Sequence, residues 1–167
     1  TFITLDNLKY GLNIQLPIYL YLLKKSSQFQ NAKVAGFYIQ KVLANIPLIE
    51  ENKSLLDIQK ENLKLQGYSN SNPDILKLID NEYQNSQIIK GLRYKSNGDL
   101  YSSAKVLSDF EMDELTIKVE EKIDECIENI LNADFNINPK VIKNKNISCT
   151  FCKFKDICYK SKKDEVV

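Results

Sequence analysis

Three cysteines near the carboxy terminus, Cys149-x2-Cys152-x5-Cys158, constrain this chain more than any other feature. A Cys-x2-Cys pair places two thiolates on one tight turn, and a third cysteine a short way on can return toward the same ion as the chain enters a helical turn. Three soft ligands are therefore expected to converge locally, and a metal or cluster would want a fourth. Lys153, Lys155 and Lys160 lie nearby, and their charge favours the thiolate form that binds metal. The remaining cysteine, Cys126, falls on the apolar face of a helical stretch. Free cysteine is among the most buried residue types, so Cys126 is expected in the core. If it is a ligand instead, a self-contained four-cysteine zinc site becomes available; the bland alternative for the tail is a set of free thiols.

The rest of the composition narrows the chemistry. With 167 residues the chain is one domain or a piece of one. It holds no histidine, which removes histidine general bases, histidine-ligated haem, mixed cysteine-histidine zinc fingers and Ser-His-Asp triads together. No apolar run approaches the roughly 20 residues of a membrane span, so no membrane role is expected. No secretory signal is visible at Thr1, and clustered thiols without one suggest a reducing compartment in which metal binding comes before disulfides. Although the net charge is only +1, residues 140 to 163 carry eight lysines against Asp156, so this stretch is +7 and the remainder −6. Such asymmetry suits a phosphate-facing surface, and equally a solvated lysine-rich tail.

Along the chain, Thr1 to Leu5 is β-prone. Leu8, Leu12, Leu16, Tyr19, Leu20 and Leu23 recur at helical spacing, which predicts a helix over 8–26, kinked at Pro17. Ala32 to Ala44 is apolar on both faces, as a central strand would be. A connection containing Pro47 follows, then a charged stretch over 55–60 that is helical or extended. Leu63 to Tyr68 reads as a strand and 69–73 as a turn cluster, while 75–79 is apolar without a settled type. Asn97-Gly98 between 88–94 and 99–103 predicts a hairpin. Ser108 and Glu111 form a capping box, and Leu115, Val119, Ile123, Cys126, Ile127, Ile130 and Leu131 keep one apolar face for about six turns. Phe135 to Ile137 reads as a short strand or an extended exit.

Gly11-Leu12-Asn13-Ile14-Gln15-Leu16-Pro17-Ile18-Tyr19-Leu20 resembles the Gln-x3-Tyr helix of the RecB-like branch of PD-(D/E)xK nucleases. Cys149-x2-Cys152-x5-Cys158 resembles the carboxy-terminal part of the iron-sulfur motif in the B subunit of AddAB-type ATP-dependent helicase-nucleases, and in CRISPR-associated iron-sulfur exonucleases. The long segment between the two motifs favours the helicase-nuclease over the exonuclease. The resemblance implies an α/β (α+β) fold: a truncated restriction-endonuclease-like core, its mixed sheet flanked by helices, with a carboxy-terminal cysteine-rich loop. It implies one domain over 1–167, with a sheet and helix core in 1–143 and the cysteine motif in 144–163.

The same resemblance implies a metal-dependent DNA exonuclease acting with a helicase-nuclease A subunit, in the cytoplasm, in double-strand break processing and recombinational repair. Mg2+ serves the parent enzyme, ATP the complex, and a 4Fe-4S cluster would bind Cys149, Cys152 and Cys158 with its fourth ligand outside the chain. Gln15 would orient a metal-bound water or catalytic carboxylate, and Tyr19 would hydrogen-bond in the site or contact a phosphate. Their i, i+4 spacing puts both on one helix face. The family's metal-binding carboxylates and Asp-x-Lys signature precede this helix and are absent here; Asn7 and Leu8 follow Asp6, so no catalytic role passes to Asp6. The chain alone is expected to be inactive. The rival readings are a zinc-stabilised nucleic-acid-binding module with Cys126 as fourth ligand, and an interaction domain that docks a helicase.

Overall fold

Gly11 and Asn13 both take positive φ, 72° and 59°, and so break the apolar stretch at the amino terminus into two pieces. A 3-10 turn covers Leu8–Tyr10 and helix α1 covers Gln15–Lys25. The kink expected at Pro17 is absent because α1 begins just before it. In a first turn the missing N–H of proline has no helical partner to lose, and its fixed φ suits the helix. The computed structural model describes residues 4–42, 54–143 and 145–166, so the expectations for Thr1–Ile3 and for the connection around Pro47 fall outside the described residues.

The elements after α1 run β1 (Gly36–Ile39), α2 (Leu55–Leu63), β2 (Gln66–Asn70), α3 (Pro73–Ile79), β3 (Val106–Leu107), α4 (Asp109–Leu131), β4 (Val141–Ile142), β5 (Lys145–Asn146) and α5 (Ile147–Thr150). They form two units, residues 1–120 and 121–167. In the first, a mixed sheet of order β1-β2-β3 has β1 antiparallel to β2 and β2 parallel to β3. The central strand is therefore β2, and β1, expected to be central, pairs only with β2 among the described residues. Where Tyr38 faces Gly67, the two backbones approach so closely that a Cβ on Gly67 would lie 2.0 Å from the Phe37 carbonyl oxygen.

Capping decides several boundaries. Ser54 accepts from the Asp57 N–H and starts α2, which resolves the charged stretch as helix. Asn72 accepts from the Asp74 N–H with Pro73 in the first turn, which makes 75–79 a helix as well. The Asn97-Gly98 turn closes through Lys95 N–H to the Asp99 carbonyl, 2.7 Å, but beyond it only the Tyr94–Leu100 bridge pairs as strand. Ser108 and Glu111 form the expected reciprocal cap: the Ser108 N–H donates to Glu111 Oε2 at 2.7 Å, and the Glu111 N–H to Ser108 Oγ at 3.2 Å.

Leu76, Ile89 and Leu92 centre the core, with Tyr38, Leu65, Ile79, Tyr83, Tyr94 and Val106 packed around them. On α4 only Met112, Leu115 and Val119 are buried. Ile127, Ile130 and Leu131 are exposed, and Cys126, expected in the core, is exposed too. Burial stops there because a helix of 23 residues is about 35 Å long and outruns the layer that its first turns cover. Residues 134–139 carry no regular secondary structure, so of the two forms read for Phe135 to Ile137 the short strand does not form. In the second unit β4 and β5 make a hairpin, and the chain end returns beside it through the Val141 N–H to the Val166 carbonyl, 2.8 Å. Among the described residues no helix is long and apolar enough to cross a membrane.

Candidate functional site

On α1 the i, i+4 spacing places Gln15 and Tyr19 together, and the Gln15 amide donates from Nε2 to the Tyr19 hydroxyl at 3.0 Å. A phenol that accepts from an amide keeps its own proton for another acceptor, so Tyr19 is arranged to donate outward, as contact with a phosphate oxygen requires. Tyr19 is 52 % exposed. It lines a cleft of about 390 Å3 between α1 and the segment leading into β1, with Leu16, Leu20, Lys24, Lys33 and Phe37. Among the described residues no carboxylate lines that cleft, so these residues offer Mg2+ no acidic ligand there.

Helix α1 is held to the start of α4 by charge. Lys24 pairs with Asp113, and Lys25 with Glu120 at 2.6 Å. Glu120 also accepts from the Tyr21 hydroxyl at 3.3 Å. The hydrogen bond from Lys25, followed by its Coulombic attraction, holds the Glu120 carboxyl below its ordinary pKa. A second device, unforeseen in the sequence, fixes the other wall of the cleft. Asn70, wholly buried at the end of β2, donates to the Val34 carbonyl at 2.8 Å and to Asp109 Oδ1 at 2.6 Å, and accepts from the Asn72 N–H at 2.8 Å. Its place in a run of serines and asparagines reads as a turn. Only its burial reveals it as a joint between β2, the approach to β1 and the first residue of α4.

The tail cysteines are gathered by local structure. Asn146 caps the short α5, accepting from the Cys149 N–H at 3.0 Å, and donates to Glu165 at 3.1 Å. Lys160 also binds Glu165. That hydrogen bond raises the Lys160 pKa and lowers that of Glu165, which ties the cysteine loop to the chain end. Cys149, Cys152 and Cys158 all line one cleft of about 290 Å3, together with Asn138, Lys140 and Lys160. Lys153 and Lys155 are exposed outside it, and Cys126 does not line it. All four cysteines are unpaired thiols. Among the described residues no three Cys, Asp or Glu side chains come close enough together to hold one metal ion. The three tail thiols thus share a cleft rather than a coordination sphere, and their donor chemistry suits an iron-sulfur cluster or zinc that draws a fourth ligand from elsewhere.

A mixed sheet flanked by helices is consistent with a nuclease fold, and comparison with known families identifies the class. The chain belongs to the PD-(D/E)XK nuclease superfamily, whose sequence model matches residues 3–159. Within it the chain is similar to the B subunit of the ATP-dependent helicase/deoxyribonuclease of Clostridium acetobutylicum, 30% identical over 160 residues, covering 92% of this chain and 14% of that protein. The corresponding B subunit of Bacillus subtilis is 31% identical over 158 residues, 89% of this chain and 13% of its own length. That of Listeria innocua is 28% identical over 167 residues, with 93% and 14% covered. The chain therefore spans about 14% of the length of the curated relatives it matches.

Proposed function

We propose that this chain is the carboxy-terminal part of the nuclease domain of a helicase-nuclease B subunit, working with an A subunit on DNA in cytoplasmic double-strand break processing and recombinational repair. The observation that carries the reading is the reach of the family match, which runs through residue 159 and so takes in both the Gln15–Tyr19 helix and all three tail cysteines. Residues 1–143 serve as the sheet and helix core and 144–163 as the cysteine motif of one domain. The relatives are far longer than this chain, which leaves room for the acidic ligands and the Asp-x-Lys signature outside it. Mg2+ held by those ligands would supply an activated water and charge stabilisation at the phosphodiester. Within this chain, Gln15 orients Tyr19 through their hydrogen bond, and the Tyr19 hydroxyl donates a hydrogen bond to a phosphate oxygen. ATP is used by the complex.

Cys149, Cys152 and Cys158 are assigned as three ligands of a 4Fe-4S cluster, with the fourth outside the chain. Its role is structural: it staples the tail to a distant segment and orders a lysine-bearing surface for DNA. Iron analysis and absorption test the reading on anaerobically prepared protein containing this chain. Cluster charge transfer near ~400 nm is expected. It should vanish in Cys149→Ser, Cys152→Ser or Cys158→Ser and persist in Cys126→Ser. Colourless protein with stoichiometric zinc that is lost in Cys126→Ser would replace the cluster with a four-cysteine zinc module.

A further inference from the structure

Apart from both of these sites, Lys90, Arg93 and Lys105 line a cleft of about 290 Å3 in the first unit, floored by Gln66, Gly67 and Gly91. Three separate stretches of chain deliver these cations: the loop bridged in parallel to Leu65, the strand-like run before the Asn97-Gly98 turn, and the approach to β3. Among the described residues the one acid in the lining is Glu61, which pairs with Lys64 at 2.7 Å. Among the described residues neither Lys90 nor Arg93 makes a salt bridge, and Lys105 stands over the Tyr68 ring at 5.3 Å. The folded chain thus gathers three cations around a concave surface whose carboxylate, Glu61, is hydrogen-bonded to Lys64 and also drawn by the charges of Lys90 and Arg93, which leaves the cleft positive on balance. Both Lys90 and Arg93 are exposed, so their charge is available to a ligand.

We infer that this cleft is a second nucleic-acid contact, taking the phosphodiester backbone of a single strand. The size and charge suit a phosphate, since a guanidinium offers a planar fork to its oxygens and flanking ammonium groups supply further charge. Contacts of these cations to phosphate position a strand without themselves reading its sequence. The inference rests on the proposed action on DNA, and it adds where the strand is gripped within the sheet-bearing unit.

Salt-dependent binding tests it. A fluorescent oligo-dT strand is titrated with the full chain, the Lys90→Gln/Arg93→Gln double variant, and a Lys153→Gln/Lys155→Gln variant in the cysteine tail. Each lost phosphate contact lowers the slope of log K against log salt by about 0.7 for a single strand. The Lys90→Gln/Arg93→Gln slope should therefore fall by about 1.4, a weakening of about 25-fold at ~0.1 M salt. Circular dichroism checks that the variant keeps its fold; if it does not, Arg93→Lys is read instead, with partial loss expected because the fork is removed and the charge kept. If the parent chain binds and Lys90→Gln/Arg93→Gln binds equally, the cleft is not a contact and the DNA reading stands. If the parent chain binds no strand at ~50 mM salt, where such contacts are strongest, this inference falls together with the DNA-binding part of the proposed function.

Discussion

Replacing Asn70 with alanine removes a wholly buried side chain that makes three hydrogen bonds, and the cost can be worked from those bonds. The bonds to the Val34 carbonyl and from the Asn72 N–H are neutral, at about 1 kcal/mol each. The bond to Asp109 is charge-assisted, but that carboxylate is exposed and can recover water, so it takes the low end of its range, about 1.5 kcal/mol. The sum, about 3.5 kcal/mol, corresponds to a fall in Tm of roughly 7–14 °C for a chain of this size. Thermal unfolding followed by circular dichroism measures it. Because Val34 lines the cleft beside Tyr19, the variant should also raise backbone exchange over residues 32–38. Asn70→Asp sharpens the test. It keeps shape and the acceptor for Asn72, but sets a carboxyl against the Val34 oxygen and the Asp109 carboxylate. Burial and that like charge raise the pKa of the introduced group above its unfolded value. Its penalty is therefore full at neutral pH and shrinks as pH falls through the raised value. A Tm drop under about 2 °C for Asn70→Ala would refute the reasoning.

Two further outcomes follow from the caps and ties. Ser108→Ala removes the α4 cap and should cost about 1 kcal/mol, read as a Tm lowered by about 2–4 °C, whereas Thr at this position should restore most of it. The tie between α1 and α4 should depend on pH through Glu120. Because its pKa is depressed in the folded chain, the contribution is present above the ordinary carboxylate range and lost as pH falls through the depressed value. Wild type should therefore melt above Glu120→Gln at neutral pH, with the gap closing in acid; a gap independent of pH would show that Lys25 and Tyr21 gain nothing from the charge.

Locally encoded features were legible in order. The Ser108–Glu111 cap, the helix it starts, the Asn97-Gly98 turn and the spacing of Cys149, Cys152 and Cys158 depend on groups a few residues apart, and sequence specifies such groups directly. The same holds for the Gln15–Tyr19 pair, whose hydrogen bond needs only one turn of helix. Misreadings arose where one local rule outweighed another. Positive φ at Gly11 and Asn13 broke a helix that leucine spacing had extended through them. Proline, expected to kink that helix, instead sits in the first turn of the shorter one, where it costs nothing.

Long-range relations were not legible. An apolar stripe says that a helix face can be buried, not how far along it a partner extends, and so Cys126 and the last turns of α4 are exposed rather than buried. The turn-like run at 69–73 hides Asn70 because its three partners come from Val34, Asn72 and Asp109, two of them far away in sequence. Lys90, Arg93 and Lys105 are scattered cations until β2 and the loops around it bring them to one cleft. What the sequence determined by itself was the family motifs, the caps and the spacing of the tail cysteines, since these rest on covalent spacing. What the tertiary structure decided was burial, strand order and the convergence of distant charges, since these depend on which surfaces the folded chain places against one another.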